Sequence, residues 1–318
     1  MFKFLLALIL FSISTTSPAL ETDQFMAWNT NLEDSTGALN QKFNDIVNIA
    51  LRRINKEKQI YQCHQVINKI AKAFRTWTDR RINNWIYQNL DVYPPQDLGW
   101  LEQYKLSIYY DGNGSLSWPL PIPLEPTIKV NNILIGIDKI SHFILLGKRY
   151  FITYQKALQE GANEIKANQL AVEAGIEREK GALGLRSTGV MSFADLEANY
   201  QGFKWFKQLC DNQKPVLVKD DIGNWSIKRQ IDLTEFISPL WDESFNPSVY
   251  SRARWETVRL NLYDYCPQFE LQAKQQQFAD YTKKSPVNFS TEYLKSLQSL
   301  GKIPSNQKYS IRKVCEEF

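Results

Sequence analysis

The sequence predicts a mainly α protein (α+β in detail): a multi-helix globular domain with small β-hairpin excursions. Three observations carry that prediction. Apolar residues recur at helical spacing through most of the long segments. Patterns that favour strands are confined to a few short regions. The chain is also 43% hydrophobic and 13% aromatic, enough to bury a core.

From the N-terminus, Lys3, the apolar run Phe4–Ile13 and the small residues Ser17 and Ala19 have the layout of an export signal. The run is short for a membrane span. Residues 1–19 are therefore expected to be a removed signal peptide, and no Cys follows to carry a lipid anchor. Residues 21–34 have few regular signals and are expected to form an extended arm. In 35–57, Leu39, Phe43, Ile46, Val47, Ile49 and Ala50 form a helical stripe. Val66, Ile67, Ile70, Ala71 and Phe74 predict a second helix near 60–75. Ile82, Trp85, Ile86 and Leu90 predict a third near 77–90, which the prolines at 94 and 95 end. Further on, "YKLSIYYDGNGSLSW" alternates around "DGNG" and predicts a hairpin. "IKVNNILIGI" predicts another strand pair turning at Asn131-Asn132. Asp138 is placed to cap a helix running to about Glu160. A second helix is expected over 162–180, a glycine-dotted turn over 181–191, and a third helix from Ser192 to about Asp211. "KPVLVKDDIGNWSIKRQIDL" (214–233) reads as a hairpin, 239–251 as a loop and 252–265 as a helix. Two short helices are expected near 269–283 and 290–299. The organisation expected is a signal peptide at 1–19, an N-terminal helical region at 20–97, a central domain at 98–267 and a C-terminal helical tail at 268–318.

Charge and cysteines limit the setting. The net charge is +4, or +3 (37 minus 34) once Lys3 leaves with the signal. So mild an excess, with no basic block, argues against nucleic acid as partner. No later run of about 18 apolar residues predicts an integral membrane segment. Cys63, Cys210, Cys266 and Cys315 are too far apart in sequence for a compact zinc knuckle. Two long-range disulfides are expected, with three pairings open. Four buried thiols are the competing reading.

Much catalytic equipment is missing. The chain has two histidines and no H-E-x-x-H helix, nucleophile elbow, P-loop or dinucleotide fingerprint. No cofactor is expected. Cys63 and His64 are adjacent, so on a helix they point about 100° apart. Carboxylates remain as the candidate catalytic groups.

Three places gather them. In "DKISHF", Asp138 and His142 are four residues apart on one helix face, where Asp could fix the imidazole tautomer. This is a polar network or half of a metal site; a capping Asp beside a core histidine is the structural alternative. In 177–202, Ser192 and Asp195 fit the S-x-x-D capping pattern. Asp195, Asn199, Gly202 and Phe206 form a second face beside the Leu196/Tyr200/Phe203 stripe. Glu177 and Glu179 precede the glycine turn, where the negative end of a helix and partial burial both raise a carboxyl pKa. Solvation of the helix end is the alternative there. Finally, Asp242 and Glu243 sit among Trp241, Phe245 and Tyr250, either for sugar stacking or for plain packing.

With "IGIDKISHF" (135–143), "STGVMSFADLEANYQGFKWF" (187–206) and "LWDESFNPSVY" (240–250), the central half of the chain resembles a family of exported proteins of Gram-negative bacteria. The resemblance implies a compartment, and it gives weight to Glu179, the glycines, Asp195 and Asn199, without supplying a reaction. The helix–glycine turn–helix layout is also that of lysozyme-like glycosidases. The function expected is thus a periplasmic or secreted peptidoglycan-directed glycoside hydrolase. Glu179 would be its general acid, with Glu177 as fallback, and Asp195 or Asp138 the second carboxylate or a positioning group. Ser187, Thr188, Asn199, Tyr200, Asp138 and His142 would contact the glycan. The alternative is a non-enzymatic envelope scaffold binding peptidoglycan or a partner. A third class, a metal site on Asp138 and His142, needs further ligands to converge there.

Overall fold

A computed structural model of the protein describes residues 21–57, 59–74, 81–95, 97–112, 122–181, 183–211 and 213–317. The expected signal peptide lies outside the described residues. The fold is mainly α, with only small two-stranded pairings. After a two-residue strand β1 (Glu21–Thr22), the helix α1 (Thr36–Lys56) buries Leu39, Phe43, Val47, Ala50, Leu51 and Ile54, whereas Ile49 of the expected stripe is exposed. It packs on α2 (Cys63–Phe74), which buries the five residues of its predicted stripe. The helices α3 (Arg81–Asn89) and α4 (Trp100–Leu106) follow.

The strands β2 (Leu124–Glu125), β3 (Thr127–Val130) and β4 (Ile133–Gly136) come next. β3 and β4 form the predicted hairpin, turning at Asn131 and Asn132 with φ of 54° and 58°. Asparagine tolerates that left-handed backbone better than most side chains. β1 pairs in parallel with β2, which carries Glu21 and Thr22 into the core.

The centre is a stack of three helical segments. The short α5 (Ile137–Ser141) runs into a π-helical turn (His142–Leu146) and then α6 (Gly147–Gln159). α7 (Glu164–Lys180) and α8 (Phe193–Leu209) both pack on α6 and also touch each other. α8 is buried almost throughout, which is why it shows little amphipathicity. The π turn crosses α8 backbone to backbone: a Cβ on Gly202 would stand 1.8 Å from the Phe143 carbonyl oxygen, and one on Gly147 would stand 2.6 Å from Gly202. The polar and small face predicted for α8 is thus the surface on which the π turn lies.

β5 (Val190–Met191) pairs with β8 (Val249–Tyr250), and β6 (Leu217–Lys219) with β7 (Trp225–Ile227) in the predicted hairpin. The helices α9 (Arg252–Tyr263), α10 (Cys266–Phe269), α11 (Gln272–Lys284), α12 (Phe289–Ser299) and α13 (Ile311–Glu317) complete the chain. Two disulfides form: Cys63–Cys210 ties α2 to the end of α8, and Cys266–Cys315 ties α10 to α13. No helix among the described residues is long and apolar enough to cross a membrane.

Four expectations need correction. Residues 21–34 are not simply an extended arm: Gln24–Ala27 form a 3-10 turn, and Glu21, Thr22, Asp23, Gln24 and Phe25 are all buried, held by the β1–β2 pairing and the aromatic contacts of Phe25. The "YKLSIYY" segment is not a strand; it ends α4, and Tyr104 and Ile108 are both buried at a four-residue spacing. The second arm of that predicted hairpin, 113–121, lies outside the described residues. Gly136, not Asp138, is the N-cap of α5; Asp138 lies inside the first turn, with its carboxylate taken up by Lys139 and Thr22. The tail carries one helix more than predicted, α13, fixed by its disulfide.

Candidate functional site

Where α5, the π turn, α7 and α8 meet the β1 segment and the loop after Trp241, five carboxylates converge: Glu21, Asp138, Glu179, Asp195 and Glu243. All are nearly fully buried. Lys139, itself inaccessible, stands among three of them. Its Nζ lies 2.6 Å from Asp138, 2.7 Å from Asp195 and 2.5 Å from Glu243. Burial alone would lower the pKa of this amine. The three neighbouring carboxylates outweigh it and hold the ammonium charge well above the ordinary lysine range.

The carboxylates are further anchored. Thr22 donates to Asp138 Oδ1 at 2.7 Å, Thr188 to Glu21 Oε1 at 2.7 Å, and Ser192 to Glu243 Oε1 at 2.8 Å. Ser192 also caps α8 through the Asp195 amide at 3.0 Å, so half of the predicted capping box forms. The other half does not, because the Asp195 side chain is drawn away to Lys139 and His142.

His142 is the one member with some exposure, its side chain 16% accessible. Its Nε2 lies 3.3 Å from Asp195 Oδ2, and its Nδ1 lies 3.1 Å from Asn199 Oδ1. With Nδ1–H donating to Asn199, the Nε2 lone pair faces Asp195. The π turn contributes here: the wider ring closed by the Gly147 amide on the His142 carbonyl shifts the helix register just where His142 must face α8.

Glu179, in the last turn of α7, is 1% exposed, and its Oε1 has no hydrogen-bond partner. Burial, then the charges of Asp195 and Glu21, push its carboxyl pKa well above the usual range. Burial and the charges of Glu243 and Asp195 do the same to Glu21, and burial lifts Glu243 to about 7 against the pull of Lys139.

Two overlapping sets of acidic groups result. Ligand-capable atoms of Asp138, Asp195 and Glu243 lie within 4.8 Å of one another, as do those of His142, Glu179 and Asp195. The first set surrounds a cation, the Lys139 ammonium. The second shares Asp195 and presents an imidazole nitrogen and two carboxylates to one another. Charges buried in this way are paired, protonated or coordinated to a metal.

Of the residues singled out from sequence, Asp138, His142, Glu179, Thr188, Asp195 and Asn199 meet in this cluster. Glu177 is on the outer face of α7, its side chain 71% exposed and paired with Lys180 at 3.1 Å. Ser187 is at the surface with its hydroxyl turned onto the Gly184 carbonyl, and Tyr200 packs beside Phe203 away from the acids. Sequence reasoning missed Lys139, which stood unremarked inside "DKISHF", and Glu21, which no local pattern marks. Glu243 was noticed only for its aromatic neighbours. Comparison with protein-family models, with curated proteins and with solved structures finds no match for this chain.

Proposed function

We propose that His142, Glu179 and Asp195 hold a divalent metal ion and that the chain is a metal-dependent hydrolase of the periplasm or extracellular space. One observation carries the reading. A buried carboxylate oxygen of Glu179 is left without a donor beside Asp195 and His142, while the Lys139 ammonium stands 2.5–2.7 Å from the adjacent carboxylate set. One nitrogen and two carboxylates suit zinc, manganese or iron, and three protein ligands leave coordination positions for water and substrate. A metal so placed would supply Lewis acidity and a water activated near neutral pH. The chain's own groups have distinct tasks. Asn199 keeps the proton of His142 on Nδ1 so that Nε2 is free to ligate. Lys139 holds Asp195 in place and offsets its charge. The surrounding apolar residues exclude bulk water. The two disulfides support an oxidising compartment.

A second reading draws support from the raised Glu179 carboxyl: peptidoglycan cleavage with Glu179 as protonated general acid and Asp195 opposite. Purified mature protein separates the two by metal analysis and by activity on sacculi. The metal reading expects one divalent ion per chain, lost in both Glu179→Gln and Asp195→Asn. Metal-free protein that releases muropeptides, and stops doing so in Glu179→Gln, would favour the glycosidase instead. Protein with neither metal nor activity would be an envelope scaffold.

A further inference from the structure

A second cavity lies across α8 from the acidic cluster. Asn199 meets His142 on one side of that helix. Gln201, two residues on and about 200° around the axis, lines a cavity of about 460 Å³ instead. The cavity is bounded by the Asn131–Asn132 turn, α8, residues 234–239 and the end of α11. Its volume is that of a small-molecule site.

Gln201 is 2% exposed. Its Nε2 donates to Glu197 Oε1 at 2.6 Å, and Asn288 Nδ2 donates to the same oxygen at 2.9 Å. A carboxylate only accepts, so the nitrogen end of the Gln201 amide is fixed. The other end, Oε1, is buried and has no donor. A buried acceptor in that state calls for a donor. Lys204, one helical turn further on, lines the same cavity, and so does Lys284. The acid in the lining, Glu235, is taken by Arg229. Lys204 also feels the buried Glu197, and neither lysine is in a salt bridge among the described residues. Ile133, Ile237, Pro239 and Pro286 supply an apolar wall.

We propose that this cavity binds the carboxyl end of a short peptide. A main-chain N–H of the ligand donates to Gln201 Oε1. The terminal carboxylate pairs with Lys284 and Lys204 in charge-assisted hydrogen bonds, and an aliphatic side chain packs on the isoleucines and prolines. A neutral glycan could also donate to Gln201, but it would leave both lysines unused. The aromatic side chains of the lining, Phe236 and Tyr281, are buried and offer no open ring face for a sugar. This assignment does not rest on the metal reading, because the cluster and the cavity use opposite sides of α8.

The test is calorimetry on the disulfide-bonded protein with acetyl-alanyl-leucine, its carboxamide, and two ester analogues in which oxygen replaces one N–H or the other. Tri-N-acetylglucosamine is the glycan control. Two variants are compared: Gln201→Met, and the surface double Lys204→Ser/Lys284→Ser. Saturable binding of the free acid is expected, weakened at least about tenfold in the carboxamide and in the double variant. One of the esters should bind at least about tenfold more weakly than the amide to the native protein, and equally to Gln201→Met, because only the native site holds an acceptor that the ester leaves unpaired. No saturable binding of the free acid overturns the proposal. So does equal binding of acid and carboxamide, or of the amide and both esters. Binding of the sugar in place of the peptide assigns the cavity to a glycan and overturns it too. The series is repeated with a chelator present. Binding unchanged there supports the cavity as a site of its own, and loss there would put the carboxylate on a metal and overturn the cavity as its site.

Discussion

Replacing Lys139 by methionine keeps the unbranched side chain up to the atom before Nζ and removes one charge from the centre of the cluster. In the native protein Nζ lies within 2.5–2.7 Å of three buried carboxylates. Removing one partner of a buried ion pair costs about 3–5 kcal/mol, because the remaining charge is left unpaired in a poorly polarisable interior. Here three acids lose the same partner, so the lower end of that range is a floor. At ~2–4 °C per kcal/mol for chains approaching this size, the melting temperature should fall by roughly 6–20 °C. The pH dependence has a definite sign. Lys139 has a raised pKa in the fold, so its contribution is fully present below the unfolded lysine value near 10.4 and is lost only as pH rises through the folded value. Lys139 itself therefore keeps its charge between pH 5 and 8, and any change in that window comes from its acidic partners. In the variant the acids lack their cation, and protonation relieves them. Glu243 already sits at about 7 with Lys139 present and moves higher without it. The deficit should be small near pH 5 and largest near pH 8. Urea denaturation at both pH values in the presence of chelator measures it, and added manganese should partly restore stability by entering the vacated position. A loss below about 1 kcal/mol that is the same at both pH values would show that Lys139 does not hold the cluster together. Lys180→Met, which removes only the surface pair with Glu177, should stay within about 0.5 kcal/mol.

Three further outcomes follow from the same geometry. Gly202→Ala would place a methyl group 1.8 Å from the Phe143 carbonyl, backbone against backbone, so denaturation should show a loss of at least about 2 kcal/mol, and on the metal reading the variant should also fail to retain the proposed ion. Asn199→Ala removes the partner of His142 Nδ1, and on the metal reading competition with a chelator should show affinity for the proposed ion weakened by about 10–100-fold with near-native folding. Asp242 is buried, which raises its pKa to about 6, and one of its oxygens accepts both the amide and the hydroxyl of Ser244. Its folded value exceeds the unfolded 3.8, so the stability it contributes when protonated is lost as pH rises from about 4 to about 6. Asp242→Asn keeps the acceptor oxygen and should match the native protein near pH 4 and exceed it by up to about 3 kcal/mol at pH 7. A difference independent of pH would remove Asp242 as the source.

Local sequence determined what depends on neighbours within a few residues. The stripe of α1, the left-handed Asn131-Asn132 turn and the Ser192 cap of α8 each rest on spacing or on one residue's backbone preference, and each is legible without the rest of the chain. Asp138 and His142 could be placed on one face, and Glu179 at a helix end, for the same reason. What those residues meet was decided only by tertiary structure. Glu21 comes from the far N-terminus through a two-residue parallel pairing, and Glu243 from a loop after α8. Lys139 is buried because the acids around it arrive from separate elements. Asp195 shows the difference within one residue. Its amide obeys the local capping signal, while its carboxylate goes to Lys139 and His142, because a buried charge follows the strongest opposite charge in reach rather than its neighbours in sequence. The disulfide partners were likewise open until α2 met the end of α8 and α10 met α13, since cysteine spacing constrains a pairing far less than the distance between folded backbones does.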